Sequence, residues 1–179
     1  MPYRPFKTDL IYTGKKISLE LRHLVDEQGR EIVKEVCVHP GAVVILPVID
    51  TRTVLLIRNW RHTIGQSLIE LPAGTLEKGE DPALCAAREL IEETGYKAGR
   101  LVPLRDFYAS PGILTEKMRV FAAYDLSETS AAPEPGEEIE RFRVSFEEAF
   151  AMIGDGRIQD GKTIATLLLF DRFFRNTAS

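Results

Sequence analysis

Two apolar runs set the terms for any fold of this chain. Residues 42–49 (AVVILPVI) and 53–60 (TVLLIRNW) flank a short polar break at Asp50-Thr51-Arg52. Such runs, rich in β-branched residues, suit central strands buried on both faces. A sheet covered on both faces needs a layer of helices on each side, and the rest of the chain must supply them. One helix is well marked: Asp81 is an N-cap, Pro82 fills the first helical position, and Gly95 follows ALCAARELIEET as a stop. The boundaries predict a helix over 82–94.

Toward the C-terminus, SFEEAFAMI and DGKTIATLLLFDRFF predict two more helices, the second turning Ile164, Leu167, Leu168 and Phe174 toward the core. Upstream, the partly alternating runs 17–25 and 31–38, separated by DEQG, predict a β-hairpin. Residues 101–110 and 117–126 read as further strands, and AAPEPGEE at 131–138 as a loop. The order implies an α+β fold with a mixed β-sheet between helical layers, plus an N-terminal antiparallel hairpin or small sheet. Residues 1–40 are expected to form that β subdomain and 41–179 the main domain.

Length and composition admit this. At 179 residues the chain can bury one sizeable core, and 44% hydrophobic with 28% charged residues is an ordinary soluble globular mixture. The net charge of −4 offers no basic field for nucleic acid or an anionic membrane. Cys37 and Cys85 are the only cysteines, and no Cys-x-x-Cys or His cluster accompanies them, so both are expected to be reduced core residues. The start MPYRPFKTDL has no apolar signal core and no run reaches membrane-spanning length. The expectation is a cytoplasmic protein with no membrane partner.

The predicted helix carries Glu89, Glu92 and Glu93 at i, i+3 and i+4, so three carboxylates share one side. Like charges at this spacing repel. An oxygen cage for a hard divalent cation, magnesium or manganese, offsets that repulsion, and a solvated acidic face balanced by Arg88 is the plainer alternative.

The surrounding residues favour the cage. The segment GTLEKGEDPALCAARELIEETGY, residues 74–96, resembles the Nudix box, with Gly74, Glu80, Arg88, Glu89, Glu92, Glu93 and Gly95 all at the matching positions. At ~7% per fixed position, seven chance matches have odds on the order of one in 10⁸ per starting point. Tyr96 stands where an aliphatic residue is usual. The resemblance implies a Nudix-type α/β/α sandwich that binds Mg²⁺ or Mn²⁺ through Glu89, Glu93 and the Ala73 carbonyl. Glu92 would be a further or water-mediated ligand, and Arg88 would orient the carboxylates. Glu80 is either part of this set or a favourable charge at the helix N-terminus.

In this family the general base often sits on a loop outside the box. Matching the EEIE stretch places it at Glu137, with Glu138, Glu134 and Glu116 as substitutes. HPGAVVILPV at 39–48, ELPAG at 70–74 and SPG at 110–112 look like ADP-ribose pyrophosphatases, and Pro111 follows Gly95 at the 16-residue spacing of that subfamily. The implied reaction is hydrolysis of a nucleoside diphosphate sugar, ADP-ribose to AMP and ribose 5-phosphate. Arg61 matches an Arg that pairs with the diphosphate; Arg58, Gly74, Pro111 and Glu116 are further substrate-binding candidates, and Trp60 is a stacking candidate. The resemblance also implies a homodimer in which the N-terminal hairpin is exchanged.

Two other readings stand beside this one. GDP-mannose hydrolases share SPG, an acidic loop and a segment like Asp160–Thr163. A nucleotide sensor that does not cut its ligand would be expected to have lost box carboxylates, and here every ligand position is kept.

Overall fold

The structure is a computed structural model and describes residues 3–130 and 139–175. The chain opens with a three-stranded antiparallel sheet, β1 (Tyr3–Thr13), β2 (Ser18–Asp26) and β3 (Glu31–Val38), in the order β1-β2-β3. The expected hairpin is thus β2-β3, and β1 is an addition that the pattern did not announce. Nearly every residue of β1 is exposed, so it has no buried face to mark in the sequence.

The two apolar runs become β4 (Ala42–Pro47) and β5 (Thr53–Arg61), and each lies in the middle of a different sheet. β4 stands between β7 (Ala73–Thr75) and β10 (Lys117–Glu128), with β8 (Tyr96–Pro103) beyond and the short β9 (Phe107–Tyr108) paired to β10. The β4–β10 pair is parallel and its neighbours antiparallel, which makes this a mixed sheet. β5 stands between β6 (Gln66–Glu70) and β11 (Ile139–Ser145) in an antiparallel sheet. Residues 101–110, read as one strand, are split between the end of β8 and β9.

Alternation along the central strands divides the core into two layers. Val44, Leu46, Val54, Leu56, Val120 and Ala122 face one side, where they pack with helices α2 (Phe146–Gly154) and α3 (Gly161–Phe173) through Phe146, Ala149, Met152, Leu167 and Phe170. Val43, Ile45, Leu55, Phe121 and Ala123 face the other, against Cys85, Ala86 and Leu90 of α1 (Pro82–Thr94). This is the layered arrangement that strands apolar on both faces demand.

Helix α1 has the predicted ends. Asp81 accepts hydrogen bonds from the N–H groups of Ala83 and Leu84, and Gly95 closes the helix in the left-handed region at φ 67°. Helix α3 departs from expectation at Leu168, which is half exposed, because Thr163 and Thr166 take inward positions with Leu167 and Phe170. Ile164 and Phe174 are partly buried against the core. Cys85 is fully buried, whereas Cys37 is only partly so.

Candidate active site

The first layer of the site is the α1 face that looks toward β7. Glu93, buried near the end of the helix, accepts a hydrogen bond from the Ala73 N–H at 2.9 Å. Glu89, one turn earlier, lies so close to β7 that a Cβ built on Gly74 would stand 1.9 Å from its Cδ. Only glycine leaves that side chain its place. The antiparallel pairing of β7 with β4 fixes this backbone, since Val43 faces Gly74 and Val44 faces Ala73.

Arg88 organises the carboxylates. Its Nη1 donates to Glu89 Oε1 and to Glu92 Oε2, both at 2.8 Å, while its Nε and Nη2 reach Glu80 at 3.3 and 3.4 Å. Burial alone would lower the pKa of the guanidinium, yet Glu80, Glu89 and Glu92 raise it above its ordinary value. Glu80 also accepts from the Glu77 N–H at 2.9 Å, which holds its carboxyl below the usual range. Glu80 therefore ties the turn before α1 to Arg88 and is not merely a charge at the helix end.

The donor set suits a hard divalent cation, being carboxylate oxygens beside a strand backbone brought into close approach by Gly74. Among the described residues, no group of three His, Cys, Asp or Glu side chains stands in metal-holding geometry. Glu89 and Glu92 are instead turned to Arg88.

Beside these groups lies an open cleft of about 1530 Å³. Ala73, Gly74, Arg88, Glu89 and Glu93 line it, together with Arg61, Asp160 and Lys162. The β1–β2 turn, residues 13–18, the stretch after β7, and the segment 107–109 with Glu116 and Met118 also line it. A cleft lined by both carboxylates and cations can hold a cation and a polyanion together.

Arg61 comes from the end of β5, as expected, but its partner was not foreseen. Its Nε and Nη2 donate to the two oxygens of Glu70 at 2.7 and 2.5 Å, and Lys162 Nζ lies 2.5 Å from Glu70 Oε2. Lys162 is also 3.0 Å from Asp160, the N-cap of α3. Burial would raise the Glu70 pKa, but Arg61 and Lys162 hold it below the ordinary value. Sequence reading placed Glu70 only inside ELPAG, because its partner Lys162 is 92 residues away.

The remaining candidates are distributed as follows. Glu116 lines the cleft, with Oε1 3.5 Å from His39 Nδ1. Arg58 is half exposed, pairs with Glu140 at 3.4 Å, and lies outside the cleft lining, as do Glu92, the exposed Pro111, and Trp60. Trp60 donates through its indole N–H to His62 at 3.2 Å. Glu137, Glu138 and Glu134 lie outside the described residues.

Comparison with known proteins agrees with this geometry. The family model for the NUDIX domain matches residues 38–167. The ADP-ribose pyrophosphatase of Bacillus subtilis (strain 168) is 37% identical over 155 residues, covering 86% of this chain and 84% of that one. The GDP-mannose pyrophosphatase of Pectobacterium atrosepticum is 42% identical over 136 residues, 71% of this chain and 70% of its own. Among solved structures, an ADP compounds hydrolase superposes with a TM-score of 0.86 over 99% of this chain and 96% of its own, at 22% identity, a likeness of fold. With Gly74, Arg88, Glu89 and Glu93 of the box lining one cleft and a domain match across most of its length, the chain belongs to the NUDIX family of hydrolases.

Proposed function

We propose that the protein hydrolyses the pyrophosphate bond of a nucleoside diphosphate sugar, with ADP-ribose the preferred substrate and AMP and ribose 5-phosphate the products. The observation that carries this is that the carboxylates Glu89 and Glu93 and the cations Arg61 and Lys162 line one cleft. A diphosphate repels an incoming nucleophile through its own charge, so a catalyst needs cations on its oxygens and an acceptor for the proton of water.

Glu89, Glu93 and the Ala73 carbonyl would hold Mg²⁺, or Mn²⁺, with Glu92 in support. When bound, the metal neutralises phosphate charge and acidifies water. Arg88 aims Glu89 and Glu92, acting on them through charge-assisted hydrogen bonds. Arg61 presents a guanidinium to the diphosphate. Glu137 is proposed as the general base, with Glu116 the described carboxylate closest in role because it lines the same cleft. Arg58, Gly74 and Pro111 remain proposed substrate-side residues, of which Gly74 alone lines the cleft.

Further parts of the reading are a cytoplasmic location and a homodimer in which the β1–β3 unit, residues 1–40, shapes the partner's nucleoside pocket beside the 41–179 domain. The exposed apolar side chains of that sheet, Phe6, Leu10, Ile11 and Val33, support such a partner.

A second substrate reading, GDP-mannose, is favoured by the GDP-mannose pyrophosphatase relative at 42% identity. Measurement of kcat/KM with magnesium across ADP-ribose, GDP-mannose, ADP-glucose and NADH, with an EDTA control, decides between them. Preference for ADP-ribose that EDTA abolishes is the expected result; preference for GDP-mannose moves the assignment to the second reading, and EDTA-resistant turnover defeats the metal assignment.

A further inference from the structure

Glu70 is fully buried, yet it touches two cations that line the cleft, Arg61 and Lys162. Its Oε2 meets Arg61 Nη2 and Lys162 Nζ at 2.5 Å each, so two positive nitrogens stand no more than about 5 Å apart. At that distance they repel, and the carboxylate between them offsets the repulsion. Arg61 belongs to β5 and Lys162 to α3, so Glu70 joins two separate elements.

The hydrogen-bond count fixes direction as well as distance. Two of the five guanidinium N–H groups of Arg61 are committed to Glu70, and Lys162 donates one N–H to Glu70 while pairing with Asp160 at 3.0 Å. The donors left over belong to side chains that line the cleft. Thr163 adds a further constraint on α3, since its Oγ1 accepts from the Leu71 N–H at 2.8 Å, next to Glu70 in sequence.

We infer that Glu70 is a positioning residue, which holds Arg61 and Lys162 as a paired fork for the two phosphate groups of the substrate and never touches the substrate itself. The inference rests on the diphosphate-binding reading above. It has an unusual sign. If Glu70 were only a charge near the site, removing its negative charge would tighten binding of an anion; if it is a positioning residue, removal weakens binding because the fork comes apart.

The test is isothermal titration of ADP-ribose in EDTA into wild type, Glu70→Gln, and Arg61→Lys, with thermal unfolding recorded for each, and steady-state kinetics alongside. Glu70→Gln keeps shape and loses charge, and is expected to weaken ADP-ribose binding about 10-fold and to raise KM more than it lowers kcat. Arg61→Lys keeps charge and loses the fork, and carries the same expectation should Glu70→Gln not fold. In an Arg61→Ala background, Glu70→Gln is expected to add little. Unchanged or tighter binding by either single variant overturns the inference, as does full additivity with Arg61→Ala. If wild type binds GDP-mannose in place of ADP-ribose, the substrate reading has failed separately, and the same comparison made with GDP-mannose still decides the role of Glu70.

Discussion

Glu93, buried in the last turn of α1, accepts a hydrogen bond from the backbone N–H of Ala73 across the junction of helix and strand, at 2.9 Å. One carboxylate oxygen is thereby spent on holding the helix to β7. The isosteric Glu93→Gln keeps an oxygen for that bond while removing the charge. Its kcat/KM is expected to fall by about 100-fold or more, with the thermal midpoint little changed. Full turnover in a folded Glu93→Gln protein would sink the ligand assignment.

Gly74 offers a sharper geometric test. A methyl group there collides with Cδ, Oε1 and Cγ of Glu89, whose side chain must swing away. Gly74→Ala is therefore expected to lose at least about 10-fold in kcat/KM for a stability change of only ~1 kcal/mol. Loss of stability without loss of activity would show that Glu89 does not work from its present position.

Acid should weaken the fold through Glu70. Its folded pKa lies below the ordinary 4.5 because Arg61 and Lys162 outweigh its burial. The ionised native form is thus favoured, and the resulting stability is complete above the unfolded pKa. It is lost as pH falls from about 4.5 through the lower folded value. Urea unfolding of wild type and Glu70→Gln between pH 7 and pH 3 is expected to show a gap in stability that narrows across that acidic window. A gap independent of pH contradicts the pairing.

The two cysteines should differ in reactivity. Cys85 is buried against the sheet, and burial together with nearby Glu80 pushes its thiol up to about 12. Cys37 is partly exposed. At pH 8, a chromogenic disulfide reagent is expected to modify Cys37 first and Cys85 only at the rate of unfolding, since the thiolate is the reactive form. Equal rates for the two thiols in the native protein would disprove this packing.

Local rules made some of this structure legible. The N-cap at Asp81, Pro82 and the left-handed Gly95 are local signals, and they bound α1 at the predicted residues. The two apolar runs announced strands covered on both faces, and alternation along them sorts their side chains between two helical layers. That β4 and β5 belong to different sheets was not legible, since partner choice depends on β10, β11 and their registers far along the chain. β1 left no trace because an exposed strand has no apolar period. Leu168 misled for a related reason: Thr163 turns inward to bond Leu71 and Asp160, which rotates the buried stripe of α3 away from Leu168.

The site divides along the same line. Glu89, Glu93, Arg88 and Gly74 sit within one helix and the strand before it, so fixed spacing could reveal them. Glu70 met Lys162 only through the fold, and a lone glutamate at the end of a strand carries no local mark of being buried.

The cleft draws its lining from the β1–β2 turn, Arg61 at the end of β5, β7 and the residues after it, Arg88, Glu89 and Glu93 of α1, Phe107–Ala109 with Glu116 and Met118, and Asp160–Lys162, so no contiguous stretch of chain contains it. Contacts between such distant segments form late in folding, after the entropy of closing long loops has been overcome. Recovery of catalysis after dilution from denaturant thus reports the completion of folding, and should lag behind the return of helical signal from α1, whose ends are capped by its own neighbours.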